Sequence, residues 1–244
     1  MKSTIWKPEI APIATRILDR MKTKQEEFNM KEKNQILEST MLNTELHVLA
    51  MTGDVNKAES VFYAALDLDM KQNVKGLVTP MGYNTLMKSW IQSSQSSDDR
   101  LHKEEMAKKC QNLLENMIKL CKKNKHLKPD EGSFTTAIRA WALCNNLESA
   151  KKAYQMLQLM DDSHVKPSKY SYNSVLYAFA QSGKEDGVKQ AEELLFQMIE
   201  RYADGSINVK PDVVSFNSVL KGVSAKSFDT AKHCNIICVR FSVS

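Results

Sequence analysis

Apolar side chains recur every three or four residues along this chain in short runs, and each run closes on a small polar cluster. Phe134, Ala137, Ile138, Trp141 and Ala142 form an i, i+3, i+4, i+7, i+8 stripe, which is one face of an α-helix. Tyr172, Val175, Leu176, Phe179 and Ala180 repeat that spacing, as do Tyr83, Leu86, Met87, Trp90 and Ile91. Leu42, Leu46, Leu49 and Ala50 follow it with Glu45 interrupting. Polar turns come next ("TGD" from Thr52, "CNN" from Cys144, "QSG" from Gln181), and then a second helical run: "NKAESVFYAAL", "ESAKKAYQMLQLM", "KQAEELLFQMIE". Each second run has a small residue where two helices would cross closely: Ala58, Ala150, Ala191, and Cys110 in "MAKKCQNLLENMIKL".

The stripes belong to one recurring phrase. "VKPSKYSYNSVLYAFAQSG" from Val165 returns as "VKPDVVSFNSVLKGVSAKS" from Val209, and upstream as "LKPDEGSFTTAIRAWALCNN" and "LVTPMGYNTLMKSWIQSS". A fainter copy, "STMLNTELHVLAMTGD", starts at Ser39. The residue after the aromatic or Leu is Asn43, Asn84, Thr135, Asn173 and Asn217, at steps of 41, 51, 38 and 44 residues. Helix pairs of this kind bury their apolar faces only by stacking, so the pattern predicts an all-α fold, an α-solenoid of stacked antiparallel helix pairs. Residues 1–38 read as a partial repeat, 39–212 as four repeats and 213–244 as a partial fifth with an atypical tail. Ala11–Lys24 matches a second helix without its first. Both ends thus look cut mid-repeat, as in a fragment. Pro80, Pro129, Pro167 and Pro211 are expected to stop the second helices. "QSSQSSDDRLHKEE" (Gln92–Glu105), "KEDGVK" (Lys184–Lys189) and "RYADGSIN" (Arg201–Asn208) are expected to be surface loops.

Composition narrows the function. A net charge of +5 over 244 residues permits a polyanionic partner without demanding one. Five cysteines without a CxxC pair read as reduced thiols of an intracellular protein. No apolar run is long enough for a membrane span, and neither a secretory signal nor an obvious transit peptide opens the chain. His233, Cys234 and Cys238 are the one metal-like cluster, and zinc wants a fourth ligand that is not evident. No phosphate-binding glycine loop and no catalytic triad is readable, so no cofactor, small-molecule substrate or enzymatic activity is expected. "KKNKHLK" (Lys122–Lys128) reads first as a solvated helix end.

The phrase Lys-Pro-Asp, three residues, aromatic, Asn, Ser/Thr, Val/Leu, Leu resembles the pentatricopeptide repeat over roughly residues 39–217. The tetratricopeptide signature of Trp, Leu-Gly and Tyr is absent. The resemblance implies a right-handed superhelix that binds single-stranded RNA, one base per repeat, each base read by two or three side chains. It implies a role in RNA processing, stability or translation, in a mitochondrion or plastid. It puts the first reading residue at the Asn or Thr after the aromatic, and the second just past the proline. The pairs are Asn43 with Thr79, Asn84 with Asp130, Thr135 with Ser168 and Asn173 with Asp212; Asn217 has no visible mate. Asn offers both a donor and an acceptor to a base edge, and a hydroxyl rotates to suit. By the family's code Asn with Asp favours uracil. The aliphatic residue that would sandwich a base falls at Thr40, Met81, Gly132, Tyr170 and Val214, of which Gly132 has no side chain to offer. Some relatives carry a metal-dependent ribonuclease domain after their repeats; no cluster of metal-binding aspartates follows residue 217 here. Read without the resemblance, an Asn or Thr in a helix's first turn is a cap or local acceptor. The array is then a scaffold for a protein partner.

Overall fold

The computed structural model describes residues 33–71, 76–95 and 97–224. Nine α-helices account for nearly all of them: α1 (Lys33–Thr52), α2 (Val55–Lys71), α3 (Pro80–Gln95), α4 (Arg100–Cys121), α5 (Glu131–Ala142), α6 (Leu147–Asp162), α7 (Lys169–Ala180), α8 (Glu185–Ala203) and α9 (Val213–Ser224). A single 3₁₀ turn, Lys125–Leu127, lies between α4 and α5. Among the described residues there is no strand. None of these helices is long and apolar enough to cross a membrane. The chain divides between Thr136 and Ala137, inside α5, into two compact units.

Within the first unit α1 packs on α2 and α3, α2 on α3, and α3 on α4. Leu46, Phe62, Tyr83, Leu86, Met87, Trp90, Leu114 and Met117 are almost wholly buried there. Within the second unit α7 packs on α6, α8 and α9, and α8 on α9. Val175, Leu176, Leu195, Met198 and Val219 form its interior. Within each unit consecutive helices touch, and α1 and α7 also touch the first helix of the following pair, the stacking of a helical repeat array. Ala58, Cys110, Ala150 and Ala191, the small residues of the second helices, are all buried.

Three of the turns inside the helix pairs share one mechanism. A residue in the left-handed region ends the first helix: Gly53 (φ 77°), Asn145 (φ 51°) and Gly183 (φ 72°). The very next residue is the N-cap of the second. Asp54 Oδ1 accepts from Lys57 N at 3.2 Å, and Asn146 Oδ1 from Ser149 N at 2.9 Å. Lys184 occupies the cap before α8 without a side-chain bond.

Several sequence expectations need correction. The prolines do not stop the second helices, which end earlier: α4 ends at Cys121 and α6 at Asp162, several residues ahead of Pro129 and Pro167. The stop after α6 coincides with His164 at φ 55° and that after α8 with Gly205 at φ 77°. Pro80 instead opens α3, where its missing N–H costs nothing. The long polar insertion is mostly helix, because α3 runs on to Gln95 and α4 begins at Arg100, capped by Asp99. Lys184–Lys189 is the start of α8 rather than a loop. α1 begins at Lys33, so the faint copy at Ser39 starts inside a helix. The segment Ala11–Lys24, the tail after Ser224 and the cluster His233, Cys234 and Cys238 lie outside the described residues.

Candidate nucleic-acid interface

Asp130, Ser168 and Asp212, each just past a proline, and Thr79, just before Pro80, are the N-caps of the following first helices. The N–H of the aromatic residue four places on bonds the cap's carbonyl: Tyr83 to Thr79 at 3.3 Å, Phe134 to Asp130 at 3.4 Å, Tyr172 to Ser168 at 3.2 Å and Phe216 to Asp212 at 3.3 Å. Asp130 Oδ1 accepts from Ser133 N and Ser133 Oγ, both at 2.8 Å. Asp212 Oδ1 accepts from Val214 N at 3.0 Å and Ser215 N at 3.1 Å. Ser168 forms a capping box with Ser171. These serines, Ser133, Ser171 and Ser215, are fully buried and hold the helix start.

The same caps reach back to the preceding repeat. Asn84 Nδ2 donates to Asp130 Oδ1 at 3.1 Å, and Asn173 Nδ2 to Asp212 Oδ1 at 3.1 Å. Asn43 Nδ2 donates to Thr79 Oγ1 at 3.2 Å. Three of the four residue pairs named from the sequence are thus joined directly, at separations of 36, 46 and 39 residues. Thr135 and Ser168 fall in different compact units; Thr135 Oγ1 is buried without a hydrogen-bond partner, while Ser168 serves its own helix. Asn217 is exposed on α9.

The two Asn–Asp pairs are spelled alike but wired differently. Ser215 Oγ donates to Asn173 Oδ1 at 2.6 Å, so both ends of that amide are held. Ser133 Oγ goes to Asp130 instead, and Asn84 Oδ1 is left buried without a partner. Gly132 matters there: a Cβ on it would stand 3.3 Å from both Asn84 Nδ2 and Asp130 Oδ1. Burial works to raise the Asp130 and Asp212 carboxyls. The bonds from Asn84 and Ser133, and from Ser215 and Asn173, outweigh it and hold both below the usual carboxylate range. Both therefore stay ionised at neutral pH.

Beside the pairs stand the exposed apolar residues. Met81, Tyr170 and Val214, three positions before Asn84, Asn173 and Asn217, are 64%, 65% and 56% exposed. The residue after each reading position has a role the sequence reading missed. Its hydroxyl donates to the carbonyl four residues back in every copy: Thr44 to Thr40 at 2.7 Å, Thr85 to Met81 at 2.8 Å, Thr136 to Gly132 at 2.6 Å, Ser174 to Tyr170 at 2.8 Å, and Ser218 to Val214 at 2.8 Å. The bond ties the carbonyl of the sandwich position to the turn bearing the reading residue. An in-phase Ser/Thr in all five copies was the available signal.

The linker preceding Thr79 is anchored from the core. Buried Asp69 accepts from Gly76 N at 3.3 Å and Val78 N at 3.1 Å, which fixes the approach to α3. Burial first, and then the Asp69 carboxylate, push the neighbouring Tyr83 phenol far up, so it stays protonated. No group of three or more His, Cys, Asp or Glu among the described residues could hold a metal ion.

Residues 28–232 match the family model described as the pentacotripeptide-repeat region of PRORP. A search of curated proteins gave no match. The match takes in every described helix, and the region it describes is a repeat domain rather than a catalytic one. The chain belongs to this pentacotripeptide-repeat family.

Proposed function

We propose that the chain binds single-stranded RNA at its Asn–cap pairs, one base per repeat. The observation that carries this reading is the recurrence of one geometry. An amide on one repeat is oriented by the N-cap of the next at 3.1–3.2 Å, beside an exposed Met, Tyr or Val. A carboxylate that takes one amide N–H leaves the second N–H and the other oxygen for a base edge. Exposed apolar side chains suit the faces of unstacked bases. Family membership supports RNA as the ligand class, and a matched region that is a repeat domain supports a binding role rather than an enzyme. Asn84 with Asp130 and Asn173 with Asp212 would each favour uracil. Processing, stabilisation or translation of an organellar transcript is the biological setting that family resemblance suggests.

An anisotropy titration against short U-rich, A-rich and C-rich oligomers at two salt concentrations tests the reading. Tighter binding to the U-rich strand, removed by Asn173→Ala with the fold intact, is the expected result. Equal, salt-erased binding to all three would overturn base reading and turn attention to a protein partner.

A further inference from the structure

The second unit's linkers hold a basic cleft that the base-reading positions touch only at Ser168. The linker from α6 to α7 and the linker from α8 to α9 enclose a cavity of about 510 Å³. Lys166, Lys169 and Lys210 line it together with Ser168, Ser206 and Asn208. All three lysines are exposed, and none has an ion-pair partner among the described residues. Lys71, Lys151 and Lys189, by contrast, each pair with an acid on their own helix: Asp67, Glu148 and Glu185. Asp161 is the one acid in the lining, and the Arg201 guanidinium takes it at 3.0 Å. The cleft thus keeps three unmatched positive charges, and the positive end of the α7 dipole adds to them at Ser168 and Lys169.

Its position ties it to the reading edge. Ser168 both lines the cleft and caps α7, and Lys210 lies two residues before Asp212, the partner of Asn173. Lys169 Nζ sits 5.4 Å from the ring centroid of Tyr170, which is exposed in a sandwich position.

We infer that the cleft between Lys166, Lys169 and Lys210 is a phosphate-binding site that receives the backbone of a strand whose base lies at Tyr170 and Asn173. The strand assignment rests on the RNA reading above; the affinity for a phosphate group does not. Phosphate contacts hold register while base contacts specify, so the cleft sets strength and salt dependence, and the Asn–Asp pair sets preference.

The test compares the full chain with the triple variant Lys166→Ala/Lys169→Ala/Lys210→Ala by anisotropy, using a U-rich oligomer from about 50 to 200 mM salt. For every phosphate that the variant no longer neutralises, the log K against log salt slope should flatten by about 0.7 and binding at 50 mM should weaken roughly eightfold. The ratio of U-rich to C-rich affinity should not change, and the triple Lys→Arg variant should retain the slope. An unchanged slope and affinity, with U preference still abolished by Asn173→Ala, would overturn the cleft and leave base reading standing. A wild type without base preference whose slope still falls in the triple variant would keep the cleft and remove base reading. Inorganic phosphate, titrated at constant ionic strength and followed by phosphorus NMR, separates the sources. Lysine-dependent competition with the oligomer assigns the site to the free anion; no competition, with the slope flattened in the variant, assigns it to the strand. Should the chain bind no RNA, phosphate broadening that the triple variant lacks upholds the site, and its absence in wild type removes it.

Discussion

Asp212 does two tasks through one oxygen, and a double-mutant cycle can separate them. Its Oδ1 takes Val214 N, Ser215 N and, from the preceding repeat, Asn173 Nδ2. Asp212→Ala removes the cap of α9, which costs about 1 kcal/mol, together with the amide bond. A hydrogen bond to a charged group contributes about 1.5–3 kcal/mol when desolvated. At this half-exposed site solvent screens it, to about 0.5–1 kcal/mol. Asp212→Ala should therefore cost about 1.5–2 kcal/mol. Asn173→Ala leaves the cap in place but also forfeits the 2.6 Å bond from Ser215 Oγ, and should cost about 1 kcal/mol. The double variant should fall short of the sum by about 0.5–1 kcal/mol, which is the interaction between the two residues. Urea unfolding followed by helical circular dichroism gives the three values. Repeat arrays can unfold piecemeal, so hydrogen exchange supplies a second reading. Asp212→Ala should deprotect the first turn of α9, and Asn173→Ala should not. A coupling under about 0.3 kcal/mol would refute the reasoning, as would α9 protection that ignores Asp212.

The depressed Asp130 and Asp212 carboxyls predict acid sensitivity with a definite sign. A carboxylate whose folded value lies below its unfolded value, about 3.9, contributes fully above that pH and loses its contribution as pH falls through the folded value. Urea midpoints should thus drop as pH falls below about 4, and drop less in Asp130→Asn/Asp212→Asn, where Asn keeps the cap; equal drops would count against the assignment. Gly222 lies where α9 crosses α7, and a Cβ there would stand 2.9 Å from Ala180 Cβ and 3.0 Å from the Ala180 carbonyl oxygen. Backbone cannot swing aside, so Gly222→Ala should cost about 1–3 kcal/mol by overpacking, with partial rescue by Ala180→Gly; a neutral melt would disprove the close crossing.

How far the sequence could be read depended on whether a feature is written as a period or as a local bond. The stripe through Tyr83, Leu86, Met87 and Trp90 is a period, and it named buried residues of α3 directly. Ala58, Ala150 and Ala191 recur in phase, so close packing of the second helices was legible too. Helix ends are a different matter. His164 ends a helix by adopting φ 55°, a conformation its side chain does not advertise, while Pro167 draws attention three residues too late. The stretch around Gln92–Glu105 is polar enough to look like a loop. Yet Asp99 supplies a cap and Arg100 pairs with Glu104 at 2.9 Å, so α4 starts early. At the candidate interface the Asn positions were visible because they repeat. The different wiring of Asn84 and Asn173 was not, since it depends on which neighbour Ser133 and Ser215 choose.

That three of the four caps also orient the amide of the repeat before them restricts what the array can evolve to recognise. Thr79, Ser168 and the aspartates Asp130 and Asp212 are three residue types, yet all belong to the small set of residues that start helices well. A larger or apolar substitute would alter the ligand surface and fray the next helix in the same step. The vocabulary at this position is therefore short, and new specificities arise most readily by exchange among Asp, Asn, Ser and Thr. An engineer recoding one repeat should expect stability to shift in the repeat that follows it, not in the one being rewritten.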